Sequence, residues 1–417
     1  MVKKMERRVV ITGLGTVCPI GNNVAEAWES VVEGVCGIDY IKNFDASNHK
    51  VKVAGEVKNL EITDFINRKD AKRMDRFTQF AVIAAKEAYA DSNLEQATIN
   101  EDRFGVIISS GIGGLDTIET EHKKALAKTY DRVSPFYIPM VISNLAAGTV
   151  AIELKAKGIC SCVVTACAGG TDAIGEAYRL IKHGYNDVIA AGGTEAAITP
   201  LGMGGFTSMK ALSESEDINR ASIPFDKERS GFVMGEGAGV LIIEDYQHAI
   251  NRGAKIYAEI IGYGNSCDAY HITSPLPNGE GGVKAMESAL ADAKLNYDKI
   301  DYINAHGTST SINDKTETTA IRTVFKEHAD KLAVSSTKSM TGHMLGATGA
   351  FEAIVCAKAL QNSFIPATIN YLEKDPECDL DIVPNQGREQ VIEYTLSNSL
   401  GFGGHNSTII LKKYQGE

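Results

Sequence analysis

The sequence predicts an α/β layered fold, and three observations carry that prediction. Short apolar or β-branched runs alternate with longer helix-like stretches along the 417 residues. The order of these elements recurs, so the second part of the chain repeats the first. Each part also closes on a glycine-rich turn followed by an apolar strand.

Val9-Val10-Ile11-Thr12 opens the chain as a short strand. Gly13-Leu14-Gly15 after it reads as a tight turn, because the third glycine of a dinucleotide fingerprint is missing. A helix-like stretch at 80–92 precedes a strand at 104–109. Gly111-Ile112-Gly113-Gly114 reads as another turn, since it lacks the Lys and Ser/Thr of a phosphate loop. Residues 160–166 read as a strand entering a helix at 171–180, and 235–244 close the first part. In the second part a helix at 283–293 precedes a strand at 300–304. A strand at 332–336 then leads through a glycine turn into a helix at 350–360, and 403–412 close it. The division falls at 1–255 and 256–417.

Composition agrees with this reading and excludes several classes. A hydrophobic content of 44% supports a large core, and 10 prolines with no low-complexity tract leave no linker. The basic start Met1-Val2-Lys3-Lys4-Met5-Glu6-Arg7-Arg8 runs straight into the first strand without a signal-like apolar stretch. No run approaches the ~18–20 residues of a membrane span; a cytoplasmic protein without membrane insertion is expected. The eight cysteines have no secreted-domain spacing. Cys160 and Cys162 are expected to be reduced and buried, on a strand face opposite Cys167. Without Cys-x-x-Cys or His-Glu-x-x-His, no metal site is expected. A net charge of −11 argues against a nucleic-acid ligand.

The residues that carry chemistry sit where strands end. Cys167 lies in Val163-Val164-Thr165-Ala166-Cys167-Ala168-Gly169-Gly170, at a strand-to-helix turn. Helix N–H groups and the positive dipole end would lower its pKa, making a nucleophile. Ala168, Gly169 and Gly170 would leave room beside the sulfur. A buried structural cysteine fits the position equally well. His306, in Asn304-Ala305-His306-Gly307-Thr308-Ser309-Thr310, and His343, in Thr341-Gly342-His343-Met344-Leu345-Gly346, occupy matching strand-end turns. Either histidine alone could be a loop-stabilising partner; the three together favour chemistry. Asn398-Ser399-Leu400-Gly401-Phe402-Gly403-Gly404-His405-Asn406 adds a turn whose backbone N–H groups can face an oxyanion.

Together with Pro224-Phe225-Asp226-Lys227-Glu228-Arg229-Ser230-Gly231-Phe232 mid-chain, these segments in this order resemble the β-ketoacyl-acyl-carrier-protein synthases. The resemblance spans essentially the whole chain and is closest to the synthase II type. It implies a thiolase-like α-β-α-β-α sandwich of two pseudo-repeated halves. It also implies a decarboxylative Claisen condensation in fatty-acid elongation. Cys167 would hold the acyl chain as a thioester, and His306 and His343, as neutral donors, would stabilise the enolate. The N–H groups of Cys167 and Phe402 would form the oxyanion hole.

The resemblance assigns further roles. Lys338 and Glu352 would form a charged support beside the histidines; by residue type alone Glu352 could equally be a solvated charge. Thr308 and Thr310 would bond the pantetheine arm, Phe402 between Gly401 and Gly403 would gate Cys167, and Ile112 would stand at the acyl-pocket mouth. No bound cofactor is implied, since the phosphopantetheine belongs to the acyl carrier protein. Arg68, Lys69, Lys72, Arg73 and Arg76 gather five positive charges in nine residues. At helical spacing Lys69, Lys72, Arg73 and Arg76 share one face that would steer an acidic partner. The resemblance makes this segment, with Arg132 and Lys210, the docking region for the acidic carrier. Without the family, a solvated charge run is the alternative. Family members are dimers, so a homodimer is expected. Ala168-Gly169 and His405 depart from the common pattern and bear on acyl-chain preference and gating. A polyketide ketosynthase, a cysteine-dependent acyl hydrolase and a non-catalytic carrier-binding scaffold remain alternatives. The hydrolase and the scaffold do not account for two histidines plus the Gly-Phe-Gly-Gly turn.

Overall fold

The structure, a computed structural model, describes residues 6–416. Most of the basic start therefore lies outside the described residues. The first half contributes five strands to a ten-stranded sheet: β1 (Val9–Val17), β2 (Phe104–Ser109), β3 (Cys160–Ser161), β4 (Val188–Glu195) and β5 (Gly237–Asp245). The second contributes β6 (Ala258–Cys267), β7 (Tyr302–Asn304), β8 (Ala333–Ser335), β9 (Tyr394–Gly401) and β10 (His405–Lys413). The spatial order is β8-β7-β9-β10-β6-β1-β5-β4-β2-β3. Outward from the middle, each half runs antiparallel, antiparallel, parallel, parallel. The halves meet in a short antiparallel ladder that pairs Val9, Val10 and Ile11 with Ile260, Glu259 and Ala258.

Six helices complete the layers: α1 (Arg76–Asp91), α2 (Leu145–Leu154), α3 (Gly169–Lys182), α4 (Glu280–Ala293), α5 (Ser311–Phe325) and α6 (Thr348–Asn362). Strand periodicity explains the stacking, because successive side chains point to opposite faces and here both faces are covered. Leu241 and Ile243 of β5 turn inward to α3 and α6, while Val240 and Ile242 turn outward to Phe77, Phe80 and Ala84 of α1. In the second half Ile409 and Leu411 turn inward, and Ile410 turns outward to Met286, Ala289 and Ile321. The result is the thiolase-like α-β-α-β-α sandwich, with α3 and α6 as its middle layer.

Three expectations need correction. Gly13-Leu14-Gly15 lies within β1, not in a turn. A Cβ on Gly13 would fall 2.1 Å from the Ala88 carbonyl and one on Gly15 1.9 Å from that of Ala84, so these glycines admit α1. The strand expected at 160–166 is only two residues long. As an edge strand it pairs on one side alone, through Val106↔Cys160 and Ile107↔Ser161. Cys160 is consequently exposed and Cys162 partly so; neither is buried as expected, though both are free thiols. The turn read at 398–406 is narrower, because β9 runs through Gly401 and β10 begins at His405. Among the described residues no helix is long and apolar enough to cross a membrane.

Candidate active site

Cys167 sits in a tight turn, Ala166–Ala168, that leads into α3. Ala166 adopts φ +50°, a left-handed conformation costing an L-residue about 1–2 kcal/mol. The end of β9 presses on this turn. A Cβ on Gly401 would lie 2.8 Å from the Thr165 carbonyl and 3.2 Å from the Cys167 and Ala168 nitrogens. The small residues after the cysteine serve packing, not a substrate. A Cβ on Gly169 would fall 2.0 Å from Ser109 Oγ, and one on Gly170 2.8 Å from the Ala350 nitrogen. The expected lowering of the thiol pKa is also corrected. Burial pushes Cys167 up to about 12, opposed by the Lys338 charge and by the N–H groups of Phe402 and Cys167, and reinforced by Glu195. Desolvation outweighs the helix terminus here.

The two histidines come from the second half and meet edge to face, with ring centroids 5.3 Å apart at 85°. The backbone of His306 is fixed by the buried Glu317 carboxylate, which accepts the N–H groups of His306 and Gly307, each at 2.8 Å. His343 Nδ1 lies 3.0 Å from the Thr348 hydroxyl. With that hydroxyl donating, the imidazole proton rests on Nε2, which has no protein partner; His306 Nδ1 is likewise unpartnered. Burial first, and then the Lys338 charge, hold both histidines well below their ordinary value. At neutral pH they are uncharged N–H donors.

Lys338 and Glu352 form a fully buried ion pair at 2.5 Å, with side chains 1% and 0% exposed. Burial pushes Glu352 up to about 7 against the pull of Lys338. A cavity of about 270 Å³ joins the groups; Cys167, His306, His343, Thr308, Thr310, Gly401, Phe402 and Lys210 line it. Thr308 and Thr310 place their hydroxyls 3.0 Å apart, and Thr310 also caps α5. Lys338 and Glu352 stand behind the wall. Ile112 packs against a buried cluster with Cys167, Leu115 and Leu345, and Gly403 is exposed at the turn. That turn requires glycine, at φ +88° for Gly403 and +77° for Gly404. It is tied down by Gly403 N–H donating to Ile272 and Asp268 N–H donating to Gly404, each at 2.8 Å.

Sequence reasoning missed several participants. Phe206 stacks near Phe402, with centroids 6.4 Å apart, and meets Phe232 at 5.5 Å; Phe232 in turn meets His343 at 5.3 Å. Glu195 and Glu317 were missed as well. Glu195 follows the apolar run at 188–191 only after Gly192-Gly193-Thr194, which interrupt the strand-end signal that marked Cys167. Glu317, inside a polar helix, gives no such signal.

The basic patch differs from the single helix face expected. The helix Arg68–Ala71 stops there, and α1 restarts after the Asp75 cap. Arg68, Lys69, Lys72 and Arg73 are exposed, with Arg73 lying over the Phe136 ring at 4.6 Å. Arg76 leaves the face to bind the buried Glu236 carboxylate at 2.7 Å. Arg132 and Lys210 are exposed too.

The family described as "Beta-ketoacyl synthase, N-terminal domain" matches residues 6–249, and "Beta-ketoacyl synthase, C-terminal domain" matches 257–372. The chain is 52% identical over 409 residues to the 3-oxoacyl-[acyl-carrier-protein] synthase 2 of Staphylococcus aureus (strain COL), covering 98% of this chain and 99% of that one. It is 52% identical over 416 residues to the enzyme of the same name from Synechocystis sp. (strain ATCC 27184 / PCC 6803 / Kazusa), covering 100% of both. Among solved structures, a type II PKS acyl-carrier protein in complex with its ketosynthase bound to the hexaketide matches at TM-score 0.92. The identity there is 36%, over 98% of this chain and 100% of that one. A beta-ketoacyl synthase from Burkholderia phymatum STM815 matches at TM-score 0.89 and 32% identity, with the same coverage. Matched in both of its halves and half-identical to relatives end to end, the chain belongs to the β-ketoacyl synthase family.

Proposed function

We propose that the chain is a cytoplasmic 3-oxoacyl-acyl-carrier-protein synthase of the elongating, fatty-acid type. The observation that carries this reading is the buried thiol of Cys167 sharing one cavity with two uncharged imidazoles. The Cys167 sulfur attacks an acyl-carrier thioester; the C–S bond to the carrier breaks, the thiol proton passes to the departing carrier thiolate, and the acyl chain stays as a cysteine thioester. Malonyl-carrier then loses carbon dioxide, and the electron pair of the broken C–C bond forms an enolate. N–H donors on His306 and His343 stabilise the enolate oxygen. Its carbon attacks the acyl carbonyl, whose oxyanion rests on the N–H groups of Cys167 and Phe402. The cysteine thiolate leaves and takes up a proton, and a 3-oxoacyl-carrier two carbons longer departs. The phosphopantetheine arm arrives with the carrier and would bond Thr308 and Thr310. Phe402 would gate the sulfur and Ile112 border the acyl chain.

The 52% identity to enzymes named 3-oxoacyl-[acyl-carrier-protein] synthase 2, against 36% to the polyketide ketosynthase, supports the fatty-acid reading. A homodimer is supported by the one-sided edge strand β3 and by the exposed apolar Ile152, Ile159 and Val164 beside it. The division between halves near residue 255 is supported by the seam of the sheet. Intact mass after mixing with acyl-carrier protein tests the function. An adduct on Cys167 that is lost as 3-oxoacyl product forms supports condensation; decay to free acid would replace it with hydrolysis.

Two further outcomes are expected. Lys69→Glu combined with Arg73→Glu raises KM for the acyl carrier by about tenfold at low salt, with kcat little changed. The difference shrinks as salt screens the exposed charges, which a salt series of kcat/KM reads out. The second concerns pH. A depressed histidine pKa contributes stability above the ordinary value of 6.5, and this is lost as pH falls through the folded pKa. Malonyl decarboxylation should therefore stay flat from pH 6.5 to about 8, because the donors are already neutral throughout. Iodoacetamide labelling of Cys167 should instead keep rising across that range, since its thiol lies up at about 12.

A further inference from the structure

Behind the cavity one buried carboxylate takes no part in the chemistry above. Glu195 ends β4 and is 0% exposed. It accepts the Ser110 hydroxyl at 3.0 Å and the N–H groups of Gly111 at 2.8 Å, Ile112 at 3.1 Å and Gly346 at 3.1 Å. All four donors are uncharged. Three belong to the loop after β2, in the first half. The fourth belongs to the second half, three residues past His343, in the turn Leu345–Ala347. Leu345 is held there at φ +47°. The two glycine backbones close on the carboxylate, for a Cβ on Gly111 or Gly346 would lie 2.9 or 3.0 Å from Glu195 Oε2. Gly346 is also so near the other loop that its Cβ would fall 2.9 Å from the Gly111 nitrogen.

A buried charge is a poor way to gain stability, and an apolar residue would fill the volume at less desolvation cost. A carboxylate can, however, accept from two chain segments at once and fix their separation. We propose that Glu195 is a positioning residue for the condensation, holding the Ile112 loop and the His343 turn in one register around Cys167. The idea rests on the condensing function set out above. The charge on Glu195 also opposes ionisation of Cys167, against Lys338, with the neutral His306 and His343 on the same cavity.

The test compares the full-length wild-type chain with Glu195→Gln and Ser110→Ala. Glutamine keeps the shape but brings an NH2 into a ring of donors. Three quantities are read: the acyl-chain-length profile of Cys167 acylation by intact mass, the decarboxylation rate, and the pH dependence of iodoacetamide labelling. For Glu195→Gln we expect an altered chain-length profile, decarboxylation slower by about 10²-fold, and labelling displaced to lower pH. Ser110→Ala keeps the charge, so it should alter the profile and leave the labelling curve in place. A folded Glu195→Gln with a lowered melting temperature but wild-type profile, rate and labelling would overturn the proposal. If that variant does not fold, an unaltered profile in Ser110→Ala overturns it. A wild-type chain that takes no acyl group overturns the condensing function and the proposal with it.

Discussion

Replacing Cys167 with alanine is expected to lower chain elongation by roughly four to six orders of magnitude, the scale of deleting a covalent nucleophile. In the proposed mechanism the sulfur is the atom that holds the acyl group, and no other thiol lines the cavity among the described residues. Alanine fits the site, because Cys167 is 9% exposed and its turn is set by backbone packing against Gly401. The stability change should stay within about 1 kcal/mol. Decarboxylation of malonyl-carrier should survive, since His306 and His343 keep their positions without the sulfur. Intact mass reads the missing adduct, and carbon dioxide release without elongated product reads the surviving half-reaction. Loss of both activities would place the histidines under the control of the nucleophile.

Lys338→Ala should have the largest effect on stability, about 3–5 kcal/mol, because it strands the buried Glu352 carboxylate. The pH dependence has a definite sign. Glu352 already titrates near 7 in the fold, above its ordinary 4.5. Such a group contributes stability that is complete below the ordinary value and is lost as pH rises through the folded one. Without Lys338 the carboxyl moves higher still, so the deficit should be larger at pH 8 than at pH 6. The same variant removes a charge that keeps both histidines neutral, so decarboxylation should begin to fall off at higher pH on the acid side. Chemical denaturation at the two pH values measures the first effect, and a pH–rate profile the second. Lys338→Met with Glu352→Met should recover stability but not the pH profile.

Most of the fold was legible because its strands are covered on both faces and its helices are flanked by small residues. The repeat at 80–109 and 283–304 fell on α1 with β2 and on α4 with β7. The strands β4, β6 and β9 were not anticipated. Glycines in Gly192-Gly193 and in Gly262-Tyr263-Gly264 weaken a strand signal, yet a Cβ there would strike Gly239, Gly346 or Ala285 backbone. Their cause is distant in sequence. The candidate site was legible in Cys167, His306 and His343, which lie in strand-end turns and which the structure brings to one cavity. Its supports were not: Glu195 and Glu317 act through backbone amides that only the folded chain brings near.

The middle layer has a consequence for charge. The first turns of α3 and α6 touch: a Cβ on Gly349 would lie 2.7 Å from the Thr171 nitrogen, and one on Gly170 2.8 Å from that of Ala350. Two like poles are thus pressed together beside the cavity, an arrangement unfavourable by itself. Its strain is relieved by negative charge, and the proposed reaction would supply negative charge in passing, on the enolate and on the tetrahedral oxygen. The fold therefore holds its field ready before any substrate enters, and little reorganisation is left for the moment when the carbon–carbon bond forms.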